Sequence, residues 1–66
     1  MKNKIRDLRA EKSWTQEDLA KAVGVSRQTI NAIEKGKFDP SLPTAFRLSK
    51  LFQKSIEDLF DFNEES

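Results

Sequence analysis

The sequence predicts an all-α domain of five helices, and three observations carry that expectation. Thr15, Ser26, Ser41 and Ser55 each stand just ahead of a predicted helix, where a side-chain oxygen can accept a free N–H of the first turn. Gly24 and Gly36, the only two glycines, fall where the second and third helices should stop, as glycine does when a last turn closes through a left-handed residue. No run of alternating β-branched residues precedes the tail, so strand periodicity does not compete with the helical one.

Each element follows in order. Asn3 to Lys12 sets Ile5 and Leu8 at i and i+3 among charges, an amphipathic first helix. Ser13 and Trp14 interrupt it, with Trp14 expected to plug the core rather than stack on a nucleic-acid base. Thr15 caps the second helix, Asp18 is its reciprocal partner, and Leu19, Ala20 and Val23 form its apolar stripe. Ser26 caps a third helix that runs to about Lys35 and stops at Gly36. Lys37 to Pro43 is a loop, with Pro40 as breaker and Phe38 expected to anchor it. The fourth helix follows Ser41 and carries Ala45, Phe46, Leu48 and Leu51. Ser55 opens a short fifth helix. Past Leu59, the alternation Phe60, Asp61, Phe62, Asn63 suits an extended segment, and Met1 to Lys4 are expected to pair with it as a short terminal β-ribbon.

Composition narrows the function. The 66 residues are expected to form one domain, residues 1–66, with a small core, because a chain of this size buries only about 60% of its unfolded surface. Without histidine or cysteine there is no zinc site, thiol nucleophile or Ser-His-Asp triad, and two separate glycines make no phosphate-binding loop, so no enzyme is expected. No cofactor and no small-molecule pocket is evident. The absence of a disulfide framework, a signal peptide and an apolar run of the roughly 20 residues that span a membrane favours a cytoplasmic location. The net charge is +1, but it is unevenly spread. Residues 55–66 hold five acids and no cation, so residues 1–54 carry 12 cations against six acids, or +6. A basic body with an acidic tail, residues 61–66, favours a polyanion on one face. The tail acids could hold a hard cation, although a solvated tail explains them more simply.

The third helix points to the polyanion. At roughly 100° per residue, Thr29, Ile30 and Ile33 turn one way, while Arg27, Gln28, Asn31 and Lys35 turn the other. The only acid of this helix, Glu34, borders the apolar face. Arginine can contact guanine in bidentate fashion, asparagine or glutamine can do so with adenine, and a lysine at the helix end can meet phosphate. An ordinary solvated face has a similar composition. The second helix, joined by a short glycine-containing turn, tips the balance toward a helix-turn-helix.

With Gln16, Leu19–Ala20, Gly24, Ile30, Ile33, Glu34, Gly36 and Pro40 in place, TQEDLAKAVGVSRQTINAIEKGKFDPSL resembles the DNA-binding motif of the phage Cro and repressor proteins, the XRE-type class. The likeness extends to Phe60 and is strongest to small stand-alone regulators of this length. It implies a five-helix lambda-repressor-like fold, binding of double-stranded DNA as a homodimer, and repression of transcription. By position, Ser26, Arg27 and Gln28 match the opening of the recognition helix, where base contacts concentrate, and Asn31 faces the same way. Gln16, Lys35 and Lys37 match phosphate-contacting positions, and Thr29 is assigned with them. Arg9 and Glu34 match a pair buried between the first and third helices. Phe52 and Gln53 depart from the glycine that commonly ends the fourth helix, which leaves the next turn open and adds an aromatic near the surface. The homodimer is expected to centre on Leu59, Phe60 and Phe62, with Phe62 folding back on its own subunit as the alternative. A domain that chiefly grips a protein, as an antitoxin does, is the other reading.

Overall fold

The computed structural model describes residues 1–62. Five helices, α1 (Ile5–Glu11), α2 (Gln16–Val23), α3 (Arg27–Glu34), α4 (Leu42–Phe52) and α5 (Ile56–Leu59), are flanked by the strands β1 (Lys2–Asn3) and β2 (Phe60–Asp61). The strands pair antiparallel, Lys2 opposite Asp61 and Asn3 opposite Phe60, and Lys4 N–H extends the pairing to Leu59 O at 2.9 Å. The ribbon takes Asn3, so α1 begins two residues later than its periodicity suggests. Asn63, Glu64, Glu65 and Ser66 lie outside the described residues.

Local chemistry sets the helix ends. Thr15 and Asp18 form a reciprocal box, with Asp18 N–H donating to Thr15 Oγ1 at 3.0 Å and Thr15 N–H to Asp18 Oδ2 at 2.9 Å. Ser26, Ser41 and Ser55 each accept the N–H three residues on. All four longer helices close through a left-handed residue: Gly24 and Gly36 after α2 and α3, but Ser13 (φ 59°) and Gln53 (φ 55°) after α1 and α4. Gln53 thus does glycine's work in the turn before Ser55.

Ile5, Leu19, Ile30, Ile33, Leu48 and Leu59 are fully buried and form the centre of the core. Three expectations about aromatic residues are corrected. Phe38 does not anchor its loop but is exposed, and Phe46 points outward. On α4 the buried residues are Thr44, Ala45, Leu48 and Phe52, whose i, i+3/i+4 spacing leaves Phe46 on the far side. Phe52, expected near the surface, is buried one turn beyond Leu48, its ring 5.8 Å from that of the half-buried Trp14.

Candidate nucleic-acid interface

The exposed side of α3 is held by a chain of polar contacts behind it. Arg9 Nε donates to Glu34 Oε2 at 2.7 Å and Arg9 Nη2 to Glu34 Oε1 at 3.2 Å, a two-pronged pair across α1 and α3. The remaining guanidinium nitrogen, Nη1, donates to Trp14 O at 2.8 Å in the α1–α2 turn. Gln16 Nε2, at the start of α2, donates to Glu34 Oε1 at 3.0 Å and to Asn31 Oδ1 at 3.1 Å. The Glu34 side chain is only 4% exposed, so its carboxylate serves as a buried junction for three elements. Its bonds hold the Arg9 guanidinium above its ordinary pKa, with burial acting in the opposite direction.

The sequence-predicted residues divide by what this network does to them. Ser26, Arg27, Gln28, Lys35 and Lys37 are exposed along and just beyond α3. Thr29 is half-buried and its hydroxyl lies 2.9 Å from Ser26 Oγ, which already accepts Thr29 N–H, so both hydroxyls take part in capping. Asn31 and Gln16 are half-buried and bonded to each other rather than free at the surface. The Asn31 carbonyl oxygen accepts one bond from Gln16 and keeps a second lone pair, beside two amide N–H groups, to offer a partner. Arg6, Arg9, Gln16, Asn31, Glu34 and Lys35 surround a shallow recess of about 290 Å³ between α1, α2 and α3.

The C-terminal end of α3 is tied down as well. Gly36 N–H donates to Ile33 O at 2.9 Å and Lys37 N–H to Ala32 O at 3.0 Å, closing the helix so that Lys35 and Lys37 project from a fixed turn. A side chain at Gly36 would meet the Met1 carbonyl at 3.3 Å, and its φ of +73° independently favours glycine. Asn3 makes a contact that the sequence reading missed. Its amide nitrogen donates to Ile33 O at 2.8 Å, and its side-chain oxygen accepts Ile5 N–H at 3.1 Å, joining the end of α3 to the start of α1. The only available signal was an Asn just before a helix.

Of the residues expected at a dimer centre, Leu59 (0% exposed) and Phe60 (7%) are buried in the core of the chain itself, drawn in because α5 is a single turn that must bury its apolar side on α4. Phe62, 68% exposed, is the one member of that trio at the surface.

Comparison with known proteins agrees with this geometry. Residues 5–59 match the helix-turn-helix family. An HTH-type transcriptional regulator of Methanocaldococcus jannaschii is 58% identical over 65 residues, covering 98% of each chain. The cryptic phage CTXphi transcriptional repressor RstR of Vibrio cholerae is 40% identical over 62 residues, 94% of this chain and 56% of that one. Among solved structures, the restriction-modification controller protein C.AhdI of Aeromonas hydrophila superimposes with a TM-score of 0.74 at 30% identity, covering 85% of both chains. The fold is lambda-repressor-like, and the chain belongs to the XRE-type helix-turn-helix family of DNA-binding transcriptional regulators.

Proposed function

We propose that the chain is a cytoplasmic repressor that binds a partly palindromic operator as a homodimer, placing the N-terminal half of α3 in the major groove. The observation that carries this reading is the exposed Arg27–Gln28 edge at the start of a helix whose back is fixed by Glu34. Side chains that must read base edges gain specificity when the helix beneath them cannot shift. Arg27 reads guanine, Gln28 reads adenine or a neighbouring base, and Ser26 and the Asn31 amide add single hydrogen bonds. Lys35 and Lys37 meet the phosphates, and Gln16 and Thr29 join them by exchanging their bonds within the chain for bonds to phosphate oxygens. Repression is the sense carried over from the name of RstR. A dimer would set the two helices about 34 Å apart, one turn of DNA.

The test is an unbiased selection of bound duplexes, followed by titrations at several salt concentrations. Arg27→Ala and Gln28→Ala should each cost about 1–3 kcal/mol and relax one position per half-site. Lys35→Ala should weaken all sequences alike and reduce the salt slope by about one for each phosphate that the lysine neutralises. A selected motif unchanged by both of the first two substitutions would show that this edge does not read DNA. A protein that copurifies with a stoichiometric partner and selects no motif would favour the antitoxin-like reading instead.

A further inference from the structure

We propose that Asn3 is a positioning residue for DNA binding: its amide fixes the turn that closes α3, and with it the places of Lys35 and Lys37 on the phosphate backbone. The inference rests on the reading of α3 as a recognition helix, and it gives the terminal ribbon a part in that function.

The last carbonyls of a helix have no partner within it, so donors must come from outside. The closing turn of α3 supplies two, Gly36 N–H to Ile33 O at 2.9 Å and Lys37 N–H to Ala32 O at 3.0 Å. A third comes from 30 residues away, Asn3 Nδ2 to Ile33 O at 2.8 Å. Both lone pairs of Ile33 O are thereby engaged, one by the turn and one by the ribbon. The shared acceptor ties the two together where the chain leaves the helix. Lys35 and Lys37 flank Gly36 in that turn, and both are exposed. Phosphate contacts set the register of a protein on a duplex. A lysine is long and flexible, so it meets a given phosphate reproducibly only when its backbone is held in place.

Asn3 is itself held from several sides. Its Oδ1 accepts Ile5 N–H at 3.1 Å, and Nδ2 also donates to Met1 O at 3.2 Å. Turned over, the amide would set its oxygen against two carbonyls and its N–H groups against a third N–H, so one orientation is selected. The backbone of Asn3 lies opposite the buried Phe60, and Lys4 N–H donates to Leu59 O at 2.9 Å. β1 is thus pinned to the core, and its amide is a fixed point for α3. A second contact between ribbon and turn is independent of the amide. A Cβ on Gly36 would lie 3.3 Å from the Met1 carbonyl, so the two backbones pack directly. Arg9 and Gln16 grip side chains of α3, whereas Asn3 grips its backbone beside the two lysines.

A cycle of substitutions tests the proposal, by titration of the selected duplex at several salt concentrations. All variants are compared at a temperature where circular dichroism shows them folded. Asn3→Ser keeps a hydroxyl to accept Ile5 N–H, adds no charge and cannot reach Ile33 O. It should raise the dissociation constant about 3–10-fold, the worth of one hydrogen bond, and lower the salt slope while leaving the selected motif unchanged. Combined with Lys35→Ala and Lys37→Ala, the same substitution should cost less than about twofold, because the groups it positions are gone. Combined with Arg27→Ala, it should keep its full effect. A role in stability alone would give the same loss in every background. Asn3→Ser that binds as tightly as wild type, or that keeps its full effect without the two lysines, overturns the proposal. Should Asn3→Ser fail to fold, Asn3→Thr, which suits a strand and keeps the hydroxyl, takes its place. A chain that folds with neither overturns the proposal as well, since Asn3 would then hold the whole fold rather than one turn. A wild-type chain that selects no duplex sinks the recognition-helix reading and this inference together. One that selects a motif and is indifferent to Asn3 sinks this inference alone.

Discussion

The two halves of this chain share one apolar core but differ in what is added to it. From α1 to α3, directional bonds across elements are added to the packing of Ile5, Leu19, Ile30 and Ile33: the Arg9–Glu34 pair, its extension to Trp14 O, and the Gln16 amide between Glu34 and Asn31. From α4 to β2, the core contacts are apolar, through Leu48, Phe52, Leu59 and Phe60. The side-chain hydrogen bonds of that half, among the described residues, are local to Ser41–Thr44, Ser49–Lys54 and Ser55–Asp58. The difference matches the work proposed for each half. A helix that reads bases must keep its rotation and height, and directional bonds fix both. A supporting half needs only to fill volume.

The largest expected effect breaks the packed half. Phe52→Ala removes a buried ring from beside Trp14 and should cost about 3–5 kcal/mol. That approaches the whole stability of a domain of this size, roughly 3–10 kcal/mol. Phe38→Ala, at an exposed position, should stay within about 0.5 kcal/mol. Urea denaturation of both variants checks this, and equal losses would show that Phe38 anchors its loop after all.

That pair of aromatics also shows where sequence reading succeeds and fails. Caps and stops are local, so Thr15, Asp18, Ser26, Gly24 and Gly36 announce their roles by residue type and spacing. The outward face of α3 was legible for the same reason, since amides and cations alternate with Ile30 and Ile33 at helical period. Phe46 and Phe52 differ in nothing but phase on α4. Which of them is buried depends on where α4 lies against Trp14 and α5, and that is decided by the whole fold. Asn3 was hidden in another way: its partner, Ile33 O, is 30 residues distant in the chain, and a backbone carbonyl leaves no mark in the sequence.

Breaking the bonded half comes next. Glu34→Ala strands the Arg9 guanidinium with only the Trp14 carbonyl and leaves the Gln16 amide with Asn31 alone. An arginine side chain stays protonated at any accessible pH, so Arg9 cannot relieve the loss by giving up its proton. Breaking a buried pair costs about 3–5 kcal/mol, and the lower end applies because Arg9 retains some access to water. Glu57→Ala, at an exposed carboxylate, is the control. Thermal melts that fall equally and slightly for both would mean that the network adds nothing to the hold on α3.

A smaller effect sharpens the contrast through pH. The Thr15 N–H and hydroxyl hold the Asp18 carboxyl below its usual pKa. A depressed folded pKa contributes stability that is present above the unfolded carboxylate value, near 3.9, and is lost as pH falls through the folded value. Asp18→Asn should therefore melt below wild type at neutral pH, and the gap should close on acidification below about pH 4. A gap of constant size from neutral to acid pH would mean that the charge of Asp18 has no part in the cap.

The smallest effect should be a gain, and it compares the two halves at the same motif. α3 and α4 end in equivalent closures: the left-handed residue donates to the carbonyl three residues back, and the next donates five back. Gly36 occupies the left-handed position after α3 and Gln53 after α4. For a residue with a Cβ, that conformation costs roughly 1–2 kcal/mol, while glycine loses about 0.5–1 kcal/mol more conformational freedom on folding. Gln53→Gly should accordingly stabilise the protein by up to about 1 kcal/mol. Gly36→Ala should do the reverse and cost more, since its Cβ would also press on the Met1 carbonyl at 3.3 Å. Differential scanning of the two variants provides the measurement. If Gln53→Gly lowered the melting temperature, the glutamine side chain would have to contribute more to the α4–α5 turn than its backbone strain removes.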